Sequence, residues 1–326
     1  MIKKASIGAT EIYFECRVTQ SASAGSSLFI IRSAPETTMY RVCPSIITIA
    51  LLCLVTCSLF AQADSVAVQL ARTEREFSRT AGMKGIKSAF LAYLDDQSTV
   101  FYPRPVNGRE AISADPETPG SLVWWPSVVE VASSGDLGFT TGPSEYRSGD
   151  STDKAVHYGH FVSVWRKNRE GSWKVLLDIG TGYPEQERKN EIVRFRQLHP
   201  RAKDLPAEKN IGRSGLLASD TAFSNLGMEL SSDSALMNFG AEGVRVYRPG
   251  AFPAEGKRNV RALLGEEKIF RFIFNDGQVS SAGDFGFTYG IAINATSDTS
   301  NYVRIWRKED RWKVLVDVMK PWKPRK

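Results

Sequence analysis

The spacing of apolar residues changes along the chain. Over residues 65–94 it is helical: Val66, Leu70 and Phe77 form one stripe, and Ile86, Ala89, Phe90 and Tyr93 form the next. Gly82 and Gly85 lie between the stripes and predict two helices rather than one. Beyond Ser98 the period drops to two. "TVFYP" reads as a short strand, and "SVVEVASSGDLGFTTG" as two strands around a Ser-Ser-Gly-Asp turn. "HYGHFVSVWRKNREGSWKVLLDIG" reads as a hairpin turning at Asn168–Gly171. Helices followed by consecutive antiparallel strands predict an α+β unit with its helices against one sheet face.

The same pattern then returns. "SSGDLGFTTG" (Ser133–Gly142) is matched by "SAGDFGFTYG" (Ser281–Gly290). "YGHFVSVWRKNREGSWKVLLDIG" is matched by "SNYVRIWRKEDRWKVLVDVM", and "SAFLAYLDDQSTVFYP" by "SALMNFGAEGVRVYRP". Order and spacing persist, which predicts a tandem repeat: a first domain over 64–185, a charged linker over 186–213 and a second domain over 214–323. In the repeated turn, Gly135 and Gly283 suit a positive φ, and Asp136 and Asp284 can hold backbone amides. A catalytic aspartate is the alternative reading of the same residue. Gly138 and Gly286 suit a strongly bent strand.

The front of the chain has a different character. Arg41 precedes an apolar run over Ile46–Phe60, and Ala61-Gln62-Ala63 follows with small residues at both ends. This predicts a signal peptide over 39–63, export to a periplasmic or secreted location after cleavage near Ala63, and no membrane span in the mature protein. Residues 1–38 are then expected to be an upstream extension, with Met39 as the start. Lipidation at Cys57 is the alternative. All four cysteines, Cys16, Cys43, Cys53 and Cys57, fall in this region, so the body has no thiol chemistry. A net charge of +6 with charged residues at 24% is too mild and too dispersed for a nucleic-acid footprint.

The helix pair, "NGREAI", "SSGDLGFTTG", "GHFVSVWRK" and "GSWKVLLDIG" resemble, in that order, the domain-of-unknown-function family 4440. That family belongs to the SnoaL-like, nuclear-transport-factor-2-like superfamily. The resemblance covers Val66–Tyr183 well and Gly215–Trp322 more weakly. It implies two cones, each a curved antiparallel sheet wrapped around helices, with a cavity at the wide end. Ketosteroid isomerase, polyketide cyclases and dehydratases share that fold with members lacking any known activity, so it leaves function open.

Counting across the hairpin puts His160, Val162, Val164, Val175, Leu177 and Ile179 on one face, expected to meet the helices and cavity. Phe161, Ser163, Trp165, Lys174, Leu176 and Asp178 share the other. The expectation is therefore an internal pseudo-dimer packed sheet to sheet, with Phe161, Trp165, Tyr302 and Trp306 between the domains. Candidate ligand-binding residues are His160, Tyr102, Trp124, Trp125 and Phe139. His160, Asp178 and Tyr102 are candidates for proton transfer, with Asp178 and Asp317 also readable as outward ion-pair partners. His157 and His160 fall on opposite strand faces, so no metal site is expected. No cofactor is implied, and no P-loop, dinucleotide turn, HExxH helix or GxSxG elbow occurs. Three functions stay open: binding a small apolar molecule in the first cone with weak or no catalysis, a metal-independent isomerase, cyclase or hydrolase, and a partner-binding protein with filled cones.

Overall fold

Two helices open the main body of the chain because the stripe at Leu70 and Phe77 and the stripe at Ala89 and Phe90 each need covering. The computed structural model describes residues 3–6, 11–14, 66–117, 119–149, 152–185, 194–198, 209–265 and 267–322. The chain divides into two compact units, Met1–Leu52 and Cys53–Lys326. In the first unit the described residues form an antiparallel pair, β1 (Lys3–Ser6) and β2 (Glu11–Phe14). The predicted signal peptide lies outside the described residues.

The second unit holds everything else. Its first half runs α1 (66–84), α2 (Ile86–Tyr93), β3 (Leu94–Tyr102), β4 (Arg104–Asn107), α3 (Gly108–Ala114), β5 (Ser121–Trp124), β6 (Val128–Val131), β7 (Leu137–Arg147), β8 (His157–Lys167), β9 (Trp173–Tyr183) and β10 (Arg194–Gln197). Its second half runs α4 (Lys209–Glu229), α5 (Ser232–Phe239), β11 (Gly240–Tyr247), β12 (Ala254–Glu255), α6 (Lys257–Leu264), β13 (Ile269–Val279), β14 (Phe285–Asn294), β15 (Thr299–Lys308) and β16 (Trp312–Pro321). Local caps set some boundaries. The Asn107 side chain accepts the Glu110 amide at 3.0 Å to start α3, and Ser231 accepts the Ser234 amide at 3.1 Å to start α5.

Strand order repeats between the halves: β4-β3-β9-β8-β7-β6 in one sheet and β12-β11-β16-β15-β14-β13 in the other. Most neighbours are antiparallel as predicted, but the first long strand of each half runs parallel to the last, β3 beside β9 and β11 beside β16. The stretch read as a plain linker also contributes structure. Its β10 pairs in parallel with β6, and α4 begins within it.

Each sheet is buried on both faces. One face meets the helices of its own half: Phe161, Trp165 and Val175 pack with Leu70, Phe77 and Ala89, and Trp306 and Val314 pack with Leu216 and Phe223. The other face meets the other sheet, with Val162, Val164, Leu177 and Ile179 against Val303, Ile305, Val316 and Val318. Phe139 and Phe285 stack across this seam at 6.1 Å with rings 12° apart. The expected inter-domain set is therefore corrected: Phe161, Trp165, Tyr302 and Trp306 face their own half. A bulge explains part of the error, since Val164 pairs with Leu177 but Trp165 pairs with Val175. The larger cause is that both faces are apolar, so alternation does not say which one meets the helices.

The repeated turn has a role at this seam. Gly135 and Gly283 adopt φ of 70° and 67°, and the aspartates beside them reach across. Asp136 accepts the Ser281 amide at 3.0 Å, and Asp284 accepts the Ser133 amide at 3.2 Å. The contact is reciprocal, as between copies related by a two-fold axis. Nearby, Arg307 donates to Glu130 at 2.8 Å and 3.1 Å, and both are almost covered. Arg307 also pairs with Glu309, so it is loss of Arg307 that leaves a buried charge, Glu130, without an ion pair among the described residues. Arg307→Met should therefore cost about 3–5 kcal/mol in urea unfolding, and adding Glu130→Gln should recover part of that loss. A single variant as stable as the wild type would contradict this role.

Candidate active site

A cavity of about 280 Å³ opens inside the first half. Phe77, Phe90, Leu122 and Trp124 supply apolar wall, and Ser163 and Asp178 supply polar groups from β8 and β9. Helix α1 comes close to the sheet over Gly138, where an added Cβ would lie 2.9 Å from Leu70. That approach carries Glu74, one turn past Leu70, into the interior.

Glu74 is fully buried. Trp124 Nε1 donates to its Oε1 at 2.5 Å, and Trp165 Nε1 reaches its Oε2 at 3.1 Å. Thr140 Oγ1 donates to Oε2 and accepts from Trp165 Nε1 at 2.9 Å. Burial pushes the Glu74 carboxyl up to about 7 against the opposing pull of these donors, and the charge of Asp178 adds to the rise. Asp178 accepts from Ser163 Oγ at 2.7 Å. It too is raised, chiefly by desolvation, while Ser163 and the charge of Lys320 act the other way. Two buried carboxyl groups, Asp178 on the cavity lining and Glu74 enclosed by Trp124, Thr140 and Trp165, are thus held above the ordinary carboxylate range.

The second half repeats the frame and fills the space. Trp306 Nε1 donates to Thr288 at 2.9 Å, and Thr288 donates to Asp220 at 2.8 Å. Where the first half has Ser163, the second has Arg304, fully buried. Its guanidinium bonds Asp220 at 2.8 Å, Ser224 at 3.0 Å and Asp317 at 3.2 Å. It also lies 4.0 Å from the centroid of Phe223 and 4.3 Å from that of Tyr302. Arg248 continues the chain of charge, donating to Asp317 at 2.7 Å and to Glu267. The Arg304 side chain occupies the interior that stays open beside Ser163.

The structure gathers some of the expected site residues and separates others. Trp124 lines the cavity. Trp125, next along, is half-buried and is not among the residues around it. Asp178 was expected outward beside Lys174; it faces the cone instead, and Lys174 donates to the Ala92 carbonyl. Asp317 does sit in ion pairs, but buried ones. Phe139 belongs to the seam between the sheets. His160 borders the cavity, yet its ring stands with Tyr183, Tyr247 and Phe252 at 5.3, 6.0 and 5.2 Å, two of them from the second half. Tyr102 lines a separate groove. Sequence reasoning missed Glu74 and Ser163. Glu74 left a signal: a carboxylate four residues after Leu70 and three before Phe77, on the apolar stripe itself. Asp220, between Leu216 and Phe223, left the same one. Among the described residues no group of three or more His, Cys, Asp or Glu could hold a metal ion, and no helix is long and apolar enough to cross a membrane.

No protein-family model matches the chain, and no curated protein does. Solved structures similar to part of it include an NTF-2 like protein of unknown function from Burkholderia xenovorans, at 17% identity, covering 36% of this chain and 88% of that one, TM-score 0.27. An NTF2-like protein from Cytophaga hutchinsonii matches at 17% identity, over 32% and 94%, TM-score 0.26. A steroid delta-isomerase from Pseudomonas aeruginosa matches at 14% identity, over 33% and 80%, TM-score 0.26. Each likeness spans about a third of the chain, and at these scores it carries nothing about activity.

The Glu74 carboxyl leads to a stability test. Unfolded, it ionises near 4.5; folded, it holds its proton to about 7. The fold binds the extra proton across that window, so this contribution to stability falls as pH rises from 4.5 to about 7 and is level above it. Urea midpoints measured across the window should flatten in Glu74→Gln relative to the wild type. Parallel curves would show that the fold does not hold that proton.

Proposed function

We propose that the first half binds a small, mostly apolar molecule carrying one polar group in its cone, with Asp178 and Ser163 meeting that group. The carrying observation is the contrast at one position: the interior is open beside Ser163 and occupied by Arg304 in the second half. The apolar wall at Phe77, Phe90 and Trp124 supplies contact area, and the paired polar groups supply orientation. In this reading the second half is a scaffold that backs the first sheet. The chain is read as a duplicated member of the nuclear-transport-factor-2-like superfamily, and export through residues 39–63 rests on the sequence pattern there.

A second reading has its own support. Asp178 stands in an apolar chamber, is held by one serine hydroxyl, and keeps its proton above the usual carboxylate range. A carboxyl so placed can pass a proton between two positions of a bound molecule, as metal-independent isomerisation requires. Turnover would then rise with pH as Asp178 ionises. Asp178→Asn would keep binding and lose turnover.

Phenol and indole are suitable probes for the cone. Ser163→Arg should copy the second half, fill the cavity and weaken binding of both probes by at least about ten-fold in calorimetry, equivalent to about 1.4 kcal/mol. Unchanged binding in a folded Ser163→Arg protein would show that the probes do not enter the cone.

A further inference from the structure

A second cavity, of about 1240 Å³, lies between the two halves of the main unit, at the ends of β3, β9 and β16. Tyr102, Tyr158 and Tyr183 give it aromatic wall. The Gly250 amide, from the second half, donates to the Gly182 carbonyl at 2.8 Å within its lining, so both halves build it.

Its charges do not balance. Lys154 and Glu185 pair with each other at 3.2 Å on the exposed rim. Lys320 lines the same groove and is half-buried, and among the described residues no carboxylate stands within ion-pair distance of it. Asp178 acts on it only electrostatically, from the cone. Between the two cavities run Gly180, Thr181 and Gly182, which line both. Burial holds the Lys320 ammonium below the ordinary lysine range, the sign of a cation short of solvation.

We propose that this groove binds an aromatic carboxylate, its anionic head on the Lys320 ammonium and its ring against Tyr102, Tyr158 and Tyr183. An under-solvated cation gains more from a charge-assisted hydrogen bond than one already in water. Three phenol rings line the same groove and offer stacking faces. The cone presents a different charge to a ligand: its lining carries the Asp178 carboxyl, which repels an anion once ionised, and no lysine or arginine. The two cavities therefore select different chemistry, and this proposal stands whether or not the cone binds anything.

Calorimetric titration of the full chain with naphthoate, and with the uncharged naphthamide, tests it. Naphthoate should bind about ten-fold more tightly than naphthamide, with the preference falling at high salt. Lys320→Met should bring naphthoate to the level of naphthamide, and Lys320→Arg should keep most of the preference. If Lys320→Met does not fold, Lys320→Gln carries the same comparison. Equal affinity for the two probes, or no binding of either, overturns the proposal. So does naphthoate binding that Lys320→Met spares and Ser163→Arg abolishes, since that would put the ligand in the cone.

Discussion

A buried indole needs an acceptor, and each half of this protein supplies one through the same relay. Trp165 donates to Thr140, which donates to Glu74; Trp306 donates to Thr288, which donates to Asp220. The tryptophan and threonine belong to neighbouring sheet strands and the acid belongs to a helix, so the relay ties the first helix of each half to its sheet. An indole N–H left unmet in the interior carries a desolvation penalty of about 1–3 kcal/mol, which Trp173, whose buried Nε1 has no acceptor among the described residues, bears and the two relays avoid. Bringing in the carboxyl to meet the indole places an acid inside an apolar cone, and the chemistry of the site begins there.

The halves then diverge in how they handle that acid. In the second half Arg304 bridges Asp220 and Asp317, Arg248 supplies a second cation on Asp317, and the Arg304 side chain takes up the interior. In the first half, among the described residues, neither acid has an arginine or lysine within ion-pair distance. Burial raises Glu74 to about 7, Asp178 accepts from the Ser163 hydroxyl, and the volume stays open. A buried ion pair demands close geometry, and a protonated acid does not. One substitution, serine for arginine, therefore distinguishes a scaffold from a candidate site.

Element order was legible because the helical and strand periods are distinct and each occurs twice. The turns were legible for the same reason: Gly135-Asp136 and Gly283-Asp284 stand at the same place in the two copies, and both glycines take the positive φ of a tight turn. The second role of the turn was not. That Asp136 and Asp284 hold each other's turns depends on how the two sheets pack, and composition carries no trace of that. The face assignment failed at Val164 and Trp165, where a bulge shifts the register and both faces are apolar. With the faces exchanged, Asp178 moved from the outside to the cone and Phe139 from the cone to the seam. Glu74 was readable in principle, since a carboxylate on an apolar stripe is out of place unless the fold encloses it.

Indole N–H resonances report the central relay most directly. In a pH titration followed by nitrogen–proton correlation NMR, the Trp124 and Trp165 indole signals should move together with a midpoint near about 7, as Glu74 gives up its proton between them. Both signals should stay fixed in Glu74→Gln. Indole signals in the wild type that do not move through that pH, or that move unchanged when Glu74 is replaced, would contradict the account.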